Sequence, residues 1–150
     1  MNKTVLSQAH EKGFSMVELM VVLAIIGILG SFAVPAYQDY MVKAKVMEFF
    51  ALAQPAKLAV TEALINGKVL ADISHEALGL EKMENIGSLK SLIVNAGVIQ
   101  IVGNGTTLGL SDDADVSLNL TPRRLGGTIQ WGCTTTAPFK KYAPSHCTVE

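Results

Sequence analysis

What this chain does not carry is the first constraint on its function. It has no excess of basic charge, with 12 Lys+Arg against 13 Asp+Glu, so the electropositive footprint that a nucleic-acid-binding domain needs is missing. Its three histidines, at 10, 75 and 146, are scattered. No Ser/His/Asp arrangement with a supporting signature, no metal-ligand spacing and no glycine-rich phosphate loop is present. Neither an enzyme nor a cofactor is therefore expected, and His75, which lacks an accompanying nucleophile or ligand cluster, reads as a surface histidine. Cysteine is limited to Cys133 and Cys147, with no odd thiol. The two either close a loop of about 15 residues, worth about 3 kcal/mol in the chain-entropy picture and formed in an oxidising compartment, or stay as buried reduced thiols. At 150 residues the chain has room for one domain with a real core and hardly for two.

Apolar residues are abundant and unevenly placed. The mean hydropathy of +0.36 is high for a soluble domain, and the excess lies between residues 19 and 36. Residues 1–13, MNKTVLSQAHEKG, are polar, whereas from Phe14 to Tyr37 the only charge is Glu18. From Leu19 to Val34 every residue is apolar or glycine except Ser31, and the flanks bring the run to the length of a bilayer span. A secretory signal peptide has the same outline, with Ala33 and Ala36 at positions suited to signal peptidase. Glu18 speaks against it, because a carboxylate is costly in hydrocarbon and has no use in a disposable segment.

The run G-F-S-M-V-E-L, Gly13 to Leu19, resembles the cleavage and methylation motif of type IV prepilins. The resemblance implies that a membrane-embedded prepilin peptidase cuts after Gly13 and N-methylates Phe14, with Glu18 as the family's acidic residue near the new N-terminus. It implies a leader at 1–13, a membrane and filament-core half of the helix at 14–40, and a globular domain at 41–150. The product would be a homo-oligomeric helical filament, built by the pilus assembly machinery. Held first in the inner membrane, it would end as an extracellular bacterial pilus serving adhesion, twitching motility or DNA uptake. The leader is longer than is usual in the type IVa branch, while Phe14 favours that branch. Related readings are a minor pilin and a type II secretion pseudopilin; a reading from another class is a secreted domain released by signal peptidase.

Physical chemistry gives the spacing a reason of its own. A free amine at Phe14 and a carboxylate at Glu18 are both expensive in an apolar bundle, yet opposite charges about 4 Å apart return on the order of 4 kcal/mol at an effective dielectric near 20. Glu18 also falls in the first helical turn, where the macrodipole favours a negative group. Pairing of Glu18 with the Phe14 amine of a neighbouring copy would set axial register.

Past Pro35, Val42, Val46, Phe49, Ala53, Ala56, Val60 and Leu64 recur every three or four residues, the stripe of a helix packed on one side. Asn66-Gly67 suits its C-terminus, so one helix is expected from Phe14 to about Asn66, roughly 80 Å long. Pro35 and Pro55 each remove a backbone bond and predict kinks, and both match the prolines of the type IVa pilin helix. Gly27, Gly30 and Pro35 make the turns between them the weakest part of the rod; in the resembled family this stretch can lose helicity in the filament.

Residues 68–97 read as a mixed connection with short helical or irregular pieces. From Val98 onward the pattern is that of an antiparallel sheet. Val98–Val102 and Thr106–Leu110 flank Gly103-Asn104-Gly105 as a hairpin, and Val116–Leu120 and Thr128–Trp131 alternate, predicting four strands on the amphipathic half of the helix. Asp112, Asp113 and Asp115 suit a turn, calcium being the other reading. The segments L-T-P near Pro122, I-Q-W-G-C at 129–133 and K-Y-A-P-S-H-C at 141–147 are similar to the end of type IVa pilins, which implies a Cys133–Cys147 disulfide around an outward-facing loop. Lys140 and Lys141 in that loop are candidates for contacts with host surfaces or DNA through sulfate or phosphate groups. The overall expectation is an α+β fold, a long kinked N-terminal helix against a four-stranded antiparallel sheet.

Overall fold

The computed structural model describes residues 13–110 and 114–150. The leader ahead of Gly13 lies outside the described residues, as do Asp112 and Asp113. The chain divides into two compact units, residues through Tyr37 and Gln38–Glu150.

Helix α1 spans Met16–Leu52 and α2 spans Gln54–Ile65, so the single helix expected from the periodicity is two, separated at Ala53. Pro55 explains where the second begins. In the first turn of α2 its missing N–H is one that no intrahelical carbonyl needs. At the junction the Gln54 side-chain amide donates to the Phe50 carbonyl at 3.2 Å. Pro35 lies inside α1, and the helix continues through it. The end of α2 is a Schellman motif: Gly67, at φ 87°, donates to the Leu64 carbonyl and Lys68 to that of Ala63. Arg124 adds a guanidinium hydrogen bond to the Leu64 carbonyl at 2.5 Å, placing a cation at the negative end of the helix.

The sheet has six strands rather than four: β1 Met83–Ile86, β2 Leu89–Asn95, β3 Val98–Gly103, β4 Val116–Leu125, β5 Thr128–Thr135 and β6 Thr148–Val149. They lie in chain order, all antiparallel except the short β6, which runs parallel to β5. β1 and β2 come from the stretch read as an irregular connection. Two-residue turns join β2 to β3 and β4 to β5, with positive φ at Ala96 and Gly97 and at Gly126 and Gly127, the geometry that matches strand twist.

Thr106–Leu110 is not a strand. Gly105–Leu108 is a short helix, α3, whose first turn is capped by the Asn104 side chain accepting from Thr107 N–H at 3.3 Å. The cap explains the departure, since Asn at this position offers the backbone a helical start that the threonines' strand preference does not overcome. Gly103 is accordingly a packing glycine rather than part of a hairpin loop. A Cβ there would sit 2.5 Å from Phe49 Cε2 and 3.2 Å from Leu108 Cδ1.

The helical stripe Val42, Val46, Phe49, Ala53, Ala56, Val60 and Leu64 is buried throughout. It packs with Leu92, Val94, Ile99, Ile101, Val116, Leu118 and Leu120 from the inner face of the sheet. Asp115, at the entry to β4, takes an ion pair from Lys90 of β2 at 2.5 Å.

Candidate functional site

The segment from Phe14 to Tyr37, helical from Met16 onward, is the most unusual surface among the described residues. Apart from half-buried Gly30 every residue in it is exposed, including Phe14 at 85% and Phe32 at 72%. An apolar area of this extent on an isolated chain marks a surface meant for lipid or protein. The helix containing it is long and apolar enough by length and composition to cross a membrane. A Cβ added at Gly27 or Gly30 would meet nothing within 4 Å, so neither glycine is required by packing inside one chain.

At the start of this helix the sequence reading missed a device. Ser15 N–H donates to Glu18 Oε2 at 2.9 Å, and Glu18 N–H donates to Ser15 Oγ at 3.2 Å. This reciprocal pair is a capping box, which satisfies two of the backbone donors left open at a helix start. The signal was present as Ser-x-x-Glu, hidden behind the more conspicuous Gly-Phe and apolar run. Glu18 is thus folded back toward the N-terminal end of the helix, on the side where Phe14 lies in sequence.

A second apolar surface lies on the globular unit. Tyr40, Met47, Ala51, Leu58 and Ile65 fall on the helical face opposite the buried stripe. Tyr40, Met47, Leu58 and Ile65 are 68, 55, 71 and 70% exposed. The amphipathic pattern identifies the inward face correctly and hides this outward one, because the charges Lys43, Lys45, Lys57 and Glu62 lie beside it.

Cys133 and Cys147 are joined in a disulfide with Cα atoms 4.4 Å apart. Phe139 and Tyr142 bury the loop against the core, and the His146 ring meets Phe50 edge-on at 6.3 Å. Lys140 Nζ donates to the carbonyls of Ser145 and Cys147, which holds the loop closed from inside. Lys141 pairs with Asp39 at 3.4 Å, and the Tyr142 hydroxyl donates to the same carboxylate at 3.2 Å. The Tyr142 hydroxyl, with Asp39 behind it, holds the Lys141 ammonium above the ordinary lysine range. Both lysines considered for external anions therefore already serve the fold. Side-chain atoms of Cys133, His146 and Cys147 come within 4.8 Å of one another, but the disulfide leaves no thiolate for a metal.

His75 is buried, not superficial. Its Nε2 donates to the Glu81 carbonyl at 3.2 Å, and its backbone N–H donates to Val94. It fastens the segment between α2 and β1 onto β2.

Comparison with known proteins agrees with this arrangement. Residues 42–148 match the family described as Pilin (bacterial filament), and residues 8–34 match the prokaryotic N-terminal methylation motif. The Type IV major pilin protein PilE of Neisseria gonorrhoeae is 35% identical over 125 residues, 82% of this chain and 74% of the relative. The fimbrial protein EcpC of Eikenella corrodens is 34% identical over 155 residues, 91% of this chain and 90% of the relative. A fimbrial protein of Moraxella nonliquefaciens reaches 50% identity over 62 residues, 41% of this chain. With its exposed apolar helix, its sheet and its C-terminal disulfide, the chain belongs to the type IV pilins.

Proposed function

We propose that the chain is cut after Gly13, N-methylated at Phe14 and anchored in the inner membrane by the helix that follows, until it polymerises into an extracellular pilus. Its role is structural rather than catalytic. The observation that carries this reading is the exposed apolar segment from Phe14 to Tyr37, helical from Met16, with one carboxylate, Glu18, in its first turn. Burying such helices side by side stabilises by about 25 cal/mol per Å² of apolar surface. A lone buried carboxylate opposes that gain unless an ammonium meets it.

In this reading the Phe14 amine supplies the ammonium, from a neighbouring copy, as each subunit enters the fibre. Cleavage is what creates it, because before the cut Phe14 carries only an amide N–H. The capping box presets the carboxylate at the helix mouth, so little side-chain entropy remains to be lost on pairing. The apolar stripe of Tyr40, Met47, Leu58 and Ile65 extends the contact surface onto the globular unit. Gly27, Gly30 and Pro35 lie in helix in the free chain, and we assign to them a local loss of helicity on assembly. Adhesion, twitching motility and DNA uptake are roles such a filament can serve through its partners.

A density map of the assembled fibre tests the reading. The expected map shows Glu18 within ion-pair distance of a Phe14 amine of another subunit, and backbone opened between Gly27 and Pro35. A map in which Glu18 has no ammonium neighbour would contradict the pairing, and unbroken helix through 27–35 would contradict the local melting.

A further inference from the structure

The outer face of the sheet carries a depression of about 260 Å³ beside the disulfide. Thr121 and Arg123 of β4 line it together with Gly132 and Thr134 of β5, Thr148 of β6 and His146 of the loop. Its position follows from the register. Thr121 lies opposite Gly132, Arg123 opposite Gln130, and Thr134 opposite Thr148, so side chains two residues apart on each strand share this face. Gly132 supplies the room, since a Cβ there would approach nothing closer than the Thr121 carbonyl at 3.7 Å.

The chemistry of the lining is one-sided. Arg124, the next residue along, turns its guanidinium to the Leu64 carbonyl, and Lys140 and the exposed Lys141 each have partners in their own chain. Among the described residues the Arg123 guanidinium has no hydrogen bond and no ion pair, and the Thr121 and Thr134 hydroxyls have no hydrogen-bond partner. The Thr148 hydroxyl donates to the Cys133 carbonyl at 3.4 Å. The Glu150 carboxylate accepts from Asn119 Nδ2 at 3.1 Å, on the Thr134 side of this face and four residues along β4 from Arg123. A guanidinium fork and hydroxyl donors around a gap, on hydrogen-bonded strands beside the disulfide, match the needs of a tetrahedral oxyanion.

We propose that this depression binds the phosphate or sulfate group of a small ligand, with Arg123 as its charged anchor. The site is built within one chain and does not depend on the filament reading.

The test is a nuclear magnetic resonance titration of the full chain in detergent micelles with sodium phosphate and, separately, sodium sulfate, at ionic strength held constant with chloride. Saturable shifts at the Arg123 side chain and the Thr121 and Thr134 amides are expected with both anions. Arg123→Gln should weaken the midpoint about tenfold or more, as loss of a charge-assisted bond implies. Gly132→Val, which fills the gap with a strand-forming residue, should abolish saturation while leaving the thermal midpoint unlowered. Lys141→Gln should leave the titration unchanged. Shifts that fail to saturate, a midpoint indifferent to Arg123→Gln, or equal saturation by acetate would each overturn the proposal.

Discussion

Glu18 has one role in the free chain and a second in the proposed assembly, and they can be separated. As the third residue of a helix start it closes a capping box with Ser15, a function that a glutamine side chain also performs. In the proposed assembly it also pairs as a charge with the Phe14 amine of a neighbouring copy, and for this glutamine is no substitute. Glu18→Gln is therefore expected to leave the helical content of the micelle-bound chain intact by circular dichroism. Sheared surface fibres should fall to background by electron microscopy. Fibres at the normal yield would assign Glu18 to capping alone. Lys141 offers a second test on single residues. The Tyr142 hydroxyl and Asp39 hold its ammonium above the ordinary lysine range. A group raised in the folded state contributes its stability in full below the unfolded value and loses it as pH rises through the folded one. The melting temperature should accordingly fall more steeply above about pH 10 in the unmodified chain than in Lys141→Gln, with the two curves parallel near neutrality. Because Lys141 is exposed, the difference should be small and should shrink with salt.

At the scale of elements, what was legible depended on whether one signal dominated. The helical stripe was readable because all seven of its apolar positions face one core, and Val116–Leu120 was readable because its alternation is strict. β2 was not, since Leu92, Ile93 and Val94 run together and Ile93 points outward, 45% exposed. The turn leading from β2 to β3 escaped because Ala96, not Asn or Gly, occupies a positive-φ position. Thr106–Leu110 misled through the strand preference of threonine, when the Asn104 cap decided the outcome. The methylation motif could be read from the fixed spacing of Gly13, Phe14 and Glu18, and the disulfide only through the resemblance to the family, since two cysteines alone left reduced thiols open. The capping box was legible as Ser-x-x-Glu but masked by the stronger motif around it, whereas the outward stripe on α1 and α2 and the Arg123 depression depend on which side of an element faces out. Gly103 shows how such a misreading is tested. Its added Cβ would lie 2.5 Å from the Phe49 ring, so Gly103→Ala should lower stability by about 1–3 kcal/mol in urea unfolding. Adding Phe49→Leu should recover part of the loss through coupling. A hairpin glycine with open surroundings would show neither effect.

At the scale of the whole molecule, the chain combines an exposed apolar helical segment ending at Tyr37 with a domain whose core is built on the helix that follows. The domain keeps its own core, disulfide and turn geometry, and nothing in that core requires the segment from Phe14 to Tyr37. In the proposed function that segment survives maturation and finds its neighbours in a membrane and then in a fibre. Mass spectrometry of the chain recovered from sheared surface fibres is the most direct measurement of this claim. A mature N-terminus of N-methylated Phe14, with the apolar helix intact, is the expected result. A chain beginning between Val34 and Tyr37 would show that the helix is discarded as a signal peptide, and would contradict the assignment.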